Sequence, residues 1–204
     1  MGKLITTLTL ERRDEHNHEI EKRVQQSRSW TKKLIDFLYV MSGYDSNTVS
    51  STDYSGASRT LNQRSANLQV CSPPGDTILY PYSVSHTLML GHNVGIVVGS
   101  GSTAVTPTDD SLATVIPQGK GPGQLLYDGT NLYGIVFSDP NGSFNIQRYF
   151  TNSSGDSITI NEVGIYAVGL SAYPFCICRD LVSPGVTVDN GQILNVVYTP
   201  QITV

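Results

Sequence analysis

The reading of the fold turns on residues 144–204. Phe144-Asn-Ile-Gln-Arg-Tyr-Phe150 alternates apolar and polar side chains, and Thr151-Asn-Ser-Ser-Gly-Asp156 has the composition of a turn. Ile158-Thr-Ile160 then leads through Asn161-Glu-Val-Gly-Ile-Tyr166. Phe175-Cys-Ile-Cys-Arg-Asp180 follows, and Ile193-Leu-Asn-Val-Val-Tyr198 closes the series after the turn Asp189-Asn-Gly-Gln192. Alternation at period two, punctuated by Gly, Asn, Asp and Pro, predicts short antiparallel strands with one solvated face.

Working backwards, Asn141-Gly142 is expected to turn a hairpin into Phe144–Phe150. Asp128-Gly129 is expected to turn another between Leu125–Tyr127 and Tyr133–Phe137, because both dipeptides favour the positive backbone angles of tight turns. Asn93–Gly99 reads as a Gly-flanked apolar strand, Leu68–Val70 as a short strand and Pro73–Asp76 as a turn. With no alternating helices, the pattern predicts a mainly β protein, an antiparallel β-sandwich of jelly-roll type over residues 68–204.

Residues 1–67 read differently. Ile20, Val24, Trp30, Leu34, Phe37 and Met41 recur at roughly helical spacing, which predicts one helix over residues 11–41 that stops at Gly43. Residues 42–67 are rich in Ser, Thr, Asn, Asp and Gly and read as a linker or extended arm. The expectation is an N-terminal helix and arm for assembly contacts, with Trp30, Leu34, Phe37 and Leu38 as its apolar anchors. Removal of residues 1–45 is then expected to leave a folded β body.

Charge fits that division. The chain has 204 residues, 39% of them hydrophobic and 15% charged, with 19 Gly and 11 Tyr, which suits a β-rich globule. Ten Lys and Arg against eight Asp and Glu give residues 1–64 a net of +2, and three against nine give residues 65–204 a net of -6. A basic arm on an acidic body implies an acidic neighbour, either the rest of a solvated helix's surroundings or the body of another copy. The acidic body argues against nucleic acid as a partner. Met1–Leu10 is too short and too rich in Thr for a signal peptide, and no apolar run approaches the ~18 residues of a membrane helix.

Catalytic and ligand motifs are weak. Gly99-Ser-Gly101 lacks the third Gly of a phosphate loop, and no Gly-x-Ser-x-Gly elbow is present. His16 and His18 lie two apart on the polar stretch, and His86 and His92 have no nearby Cys. Asp109-Asp110 is better placed to cap a helical turn over Ser111–Thr114 than to act as an acid/base pair. Cys176 and Cys178 are expected on one strand face as buried reduced thiols. The expectation is therefore no enzyme, no metal, no cofactor, and a scaffold without a reaction centre, which a buried cluster of converging ionisable groups would contradict. Tyr80, Tyr82, Tyr127 and Tyr133 are the candidates for an aromatic glycan platform.

Two blocks carry a resemblance. Val94-Gly-Ile-Val-Val-Gly-Ser-Gly-Ser-Thr-Ala-Val-Thr-Pro-Thr-Asp-Asp-Ser-Leu112 precedes Ile160-Asn-Glu-Val-Gly-Ile-Tyr166, and Ile177-Cys-Arg-Asp180 follows. Together they resemble virion structural proteins of tailed bacteriophages, in particular the particle-proximal β domain of tail-collar and tail-fibre proteins, over residues 93–204. The resemblance implies a structural protein assembled in the host cytoplasm into the virion, as a trimer or ring with other virion proteins. The chain departs from the pattern where it ends at Thr199–Val204 without shaft or tip, which implies a docking module: a tail or baseplate adaptor, or a capsid decoration protein. A carbohydrate-binding host-attachment module is the alternative. Within the motif, Glu162 interrupts an apolar strand and needs a partner, which Arg179 or Arg148 can supply from a neighbouring strand. Gly164 allows close backbone approach, and Tyr166 completes a motif read as architecture.

Overall fold

A computed structural model of the chain describes residues 3–43, 47–62, 70, 94–168 and 173–203. It is mainly β, with antiparallel sheets in a sandwich-like arrangement. The larger sheet has the order β2-β1-β11-β8-β6, from Glu19–Ser27, Lys3–Arg13, Ile193–Thr203, Asn141–Thr151 and Leu126–Tyr127. β7 (Asn131–Ser138) continues the edge beside β8. The smaller sheet is β10-β9-β5, from Pro174–Val188, Ile158–Val168 and Gly95–Gly99. A third pair, β3 (Thr48–Thr52) with β4 (Ser58–Asn62), lies against α1 (Lys32–Met41), the one helix among the described residues.

The N-terminal expectation is corrected. Residues 3–13 and 19–27 are strands, and the helix occupies only 32–41, ending two residues before Gly43, with Ser42 as its C-cap and Gly43 N–H donating to the Val40 carbonyl. β1 pairs along its whole length with β11, Leu4 opposite Ile202 and Leu10 opposite Val196. The boundary expected at residues 67/68 is thus crossed by an interior strand of the main sheet. The helical spacing of Ile20 and Val24 was coincidental. β2 turns Glu21, Arg23, Gln25 and Ser27 toward the body and leaves Ile20 and Val24 exposed, the reverse of the usual alternation. Those inward polar groups have partners: Gln25 Nε2 donates to the Leu181 carbonyl, Arg23 to that of Pro184, and Ser27 Oγ to Asp180.

The basic segment therefore meets the acidic body of its own chain. Arg12 lies near Asp189, and the half-buried α1 places Lys33 against Asp110 and the carbonyls of Thr108 and Asp109. The expected linker is in part a hairpin. Asp53 turns it by accepting from Ser55 N, Ala57 N and Arg59 Nε, and Leu61 and Val49 pack toward the core.

Two turn expectations also change. Asp139-Pro140 turns the β7–β8 hairpin, and Asn141-Gly142 already lies in β8 opposite Ser138 and Phe137. No hairpin forms at Asp128-Gly129, because β6 and β7 both run beside β8. Asp109-Asp110 caps no helix: Asp109 accepts from Thr106 and Arg179, and Asp110 from Lys33. Of the expected strand Leu68–Val70, Val70 is described and belongs to no strand; residues 68 and 69, the turn at 73–76, His86, His92, Tyr80 and Tyr82 lie outside the described residues.

The two sheets are joined by their interior. Leu8, Leu10, Ile146, Phe150, Leu194, Val196 and Tyr198 on the larger sheet share one core with Ile96, Val98, Val163 and Ile165 on the smaller. Arg148 crosses between them. Its guanidinium is fully buried and donates to the carbonyls of Asp128, Val94 and Ile96, and burial pulls it down to about 10.

Candidate functional site

Glu162 and Arg179 sit opposite each other's neighbours on β9 and β10, on the face of the smaller sheet turned away from the larger one. Glu162 is fully buried. Oε1 accepts from the amides of Gly101 and Thr114, and Oε2 from the amide of Ala113 and from Arg179 Nε at 2.9 Å. Arg179 donates its remaining N–H groups to Asp109 Oδ2 at 2.7 Å and to Thr103 O and Oγ1. Burial works against the charge on Asp109 and Arg179, yet their hydrogen bonds outweigh it: Asp109 is held below its usual range and Arg179 above.

These contacts fold the segment 100–114 over the sheet. Gly99 and Gly101 are required for it, since a methyl group at either would collide with Glu162 Oε1. At Gly164 a Cβ would stand 3.0 Å from the Cys178 carbonyl and against Leu112, so the glycine admits that loop and the neighbouring strand. The Tyr166 hydroxyl accepts from the Leu112 amide at 2.7 Å. The two motif blocks are thus one object, a loop riveted to a sheet through Glu162, Arg179, Gly164 and Tyr166. Arg148 is the other arginine weighed for Glu162, and it serves the sheet-to-sheet contact instead.

A second buried cluster surrounds Asp180. Ser27 Oγ donates to Asp180 Oδ2 at 2.6 Å, Tyr198 OH lies 3.2 Å and Cys178 Sγ 3.3 Å from the same oxygen. Burial pushes the Cys178 thiol and the Tyr198 phenol well above their ordinary values, with Asp180 adding to it, and raises the Cys176 thiol to about 12. Thiols held protonated are poor nucleophiles. Both cysteines are free and buried, but they do not share a face as the spacing suggested. A bulge at Ile177 pairs Cys176 with Tyr166 and Cys178 with Ile165, on opposite sides of β9. The scaffold does contain clusters of converging ionisable groups, contrary to expectation. Each is closed by its own partners, and neither contributes a side chain to the described cavities.

Two cavities stand out among the described residues. One, of about 350 Å³, is polar and lies between α1 and β3, near Lys32, Asp36 and Ser51, where Asp36 already accepts from Lys32 and Ser51. The other is an open groove of about 500 Å³ whose surface is nearly all apolar, formed by Leu4, Ile135, Phe137, Phe144, Pro200 and Ile202. Its origin is visible in the register. Leu4, Ile202, Gly142 and Phe137 stand directly opposite one another across β1, β11, β8 and β7, so they share a face. It is the core face. Following that face along β1 gives Leu10, Leu8, Thr6, Leu4; along β11, Leu194, Val196, Tyr198, Pro200, Ile202; along β8, Phe150, Arg148, Ile146, Phe144, Gly142. The first members are buried beneath the smaller sheet. The last are not: Leu4 is 65%, Ile202 56%, Ile135 68% and Phe137 82% exposed. Among the described residues the larger sheet overhangs its cover, and its inner face stays apolar.

No protein-family model, curated protein or solved structure matches this chain.

The sequence-derived anchors fare unevenly. Phe37 is fully buried, edge-to-face with Phe175 at 5.3 Å, so it is core of its own chain. Trp30 and Leu34 pack partly against that core, the backbone of Trp30 bridging to Cys178 on the edge of β10. Leu38 alone of the four is exposed as a large apolar side chain. Of the described tyrosines, Tyr127 is buried edge-to-face against Phe150 and donates to the Ile116 carbonyl, whereas Tyr133 is half-exposed on β7. The overhang was missed because its residues read as ordinary strand interior. The signal was there in Phe137, which extends an apolar face past the length of its cover.

Proposed function

We propose that this chain is a non-enzymatic structural protein of a tailed-phage virion. It docks on the particle as a tail or baseplate adaptor or as a capsid decoration protein, through contacts with other virion proteins and copies of itself. The observation that carries the reading is the uncovered apolar end of the larger sheet, since contiguous apolar surface of this size marks a contact with another macromolecule. The similarity of Val94–Leu112 and Ile160–Tyr166 to particle-proximal β domains supports placing that contact on a phage particle. The riveted loop suits such a role, because a body that meets its partner by shape gains from rigidity. Of its candidate tyrosines, the carbohydrate-binding alternative keeps Tyr133 as the exposed one among the described residues, a thin platform for stacking a sugar.

Mass spectrometry of gradient-purified particles tests the proposal. The chain is expected at a copy number fitting the symmetry of a tail or a capsid, with antibody label on one part of the particle in electron micrographs. Complete, infectious particles that lack the chain refute it.

A further inference from the structure

We infer that the overhang is covered by a second copy of this chain, docked face to face through the same patch. The inference deepens the assembly reading above and rests on it. Six residues, Leu4, Leu132, Ile135, Phe137, Phe144 and Ile202, expose on the order of 600 Å² of apolar side chain, taking ~150–250 Å² for a large one. With the polar rim added, this approaches the ~800 Å² per partner of a standard stable interface.

Charge selects the occupant. Among the described residues, Asp139 is the one charged residue lining the groove, on a chain whose residues 65–204 carry a net of -6. Two copies, each of net charge -4, meet at the lowest electrostatic cost through a patch that is nearly uncharged. Shape selects it too. The face is the inner side of a twisted sheet, and within this molecule its complement is another sheet's inner side. Two overhangs stacked about a two-fold axis continue the sandwich across the contact, each supplying the layer the other lacks. The ring of Phe137 lies over Gly142, where a Cβ would stand 2.8 Å from it, so the rim of the patch is flat enough to be covered by its like.

The test uses the full chain in light scattering coupled to size exclusion and in sedimentation velocity. Wild type is expected at twice the chain mass. Phe137→Asp and Leu4→Asp, from opposite ends of the row, are each expected to give monomers that melt cooperatively. Their dissociation constants should rise by ~1,000-fold, since a two-fold contact counts each substitution twice and losing one buried anchor costs roughly 30-fold. Ile35→Asp, exposed on α1, should leave the dimer unchanged. A trimer overturns the two-fold arrangement. Variants that remain dimeric place the contact elsewhere and overturn the inference while leaving self-assembly intact. A wild-type monomer overturns it outright, and a drop in its melting temperature on Phe137→Asp then assigns the cover to the chain itself. Virions that contain the chain while the pure chain is monomeric refute this contact and not the virion reading.

Discussion

Glu162→Gln is the smallest change that should unfasten the loop 100–114. Glutamine has the same shape, but one carboxylate oxygen becomes an amide that can only donate. Each oxygen of Glu162 now faces two donors: Gly101 N and Thr114 N on one side, Ala113 N and Arg179 Nε on the other. Whichever way the amide turns, two donors lose their acceptor and meet N–H groups instead. Each buried unsatisfied donor costs about 1–3 kcal/mol, and breaking a buried ion pair about 3–5 kcal/mol. Arg179 keeps Asp109 and Thr103, so the loss is set by the two unsatisfied donors at about 2 kcal/mol each, about 4 kcal/mol in all. For a chain of this size that is roughly a 10 °C fall in melting temperature, at ~2–4 °C per kcal/mol. Calorimetry reads the fall, and hydrogen exchange should show the amides of Gly101, Ala113 and Thr114 losing protection first. A variant melting within ~2 °C of wild type, with those amides still protected, refutes the assignment of Glu162 as the rivet.

Glu11 predicts an acid limit. Burial alone would raise its carboxyl, but hydrogen bonds from Arg13, Lys22 and Asn195 outweigh it and bring it down to about 2. A carboxyl depressed on folding contributes stability that is full above about pH 4.5 and is lost as the pH falls through about 2. Thermal melts between pH 6 and 2 should therefore fall less steeply in Glu11→Gln than in wild type; parallel curves contradict the shift. Arg148→Lys should cost about 2–4 kcal/mol in denaturant titrations, because one ammonium replaces a fork that serves the carbonyls of Asp128, Val94 and Ile96 and ties β8 to the start of β5. Deleting residues 1–45 should abolish cooperative unfolding altogether, since it removes β1, β2 and α1 and strips β11 of the strand it pairs with along its whole length; a truncated chain with a sharp thermal transition would contradict the topology.

The carboxyl-terminal strands were legible because their apolar residues recur at strand spacing between clear turns. β8 and β11 alternate over much of their length, β9 and the first half of β10 are largely apolar runs buried on both faces, and the turns at Asn152 and Asp189–Gln192 carry the residues that turns require. The amino-terminal strands were not legible because they break that pattern for local reasons. β2 turns its polar side chains inward to meet carbonyls of β10, so its apolar residues fell at spacings that imitate a helix. β3 and β4 carry one large apolar side chain each, Val49 and Leu61, and a Ser/Thr-rich hairpin has the composition of a linker. The need of Glu162 for a cationic partner could be read from its place in an apolar strand. That three amides of a distant loop would join Arg179 could not, because loop trajectories leave no periodic trace. The overhang follows from the relative lengths of two sheets, a property of the assembled sandwich that no single strand encodes.

Hydroxyl-radical footprinting of the chain, dilute and free against packed in purified particles, tests the central claim most directly. Docking through the overhang predicts that Leu4, Phe137 and Ile202 are oxidised in the free chain and protected in the particle, while Ile35 and Leu38 on α1 label in both. Equal labelling of Leu4, Phe137 and Ile202 in the two states would contradict it.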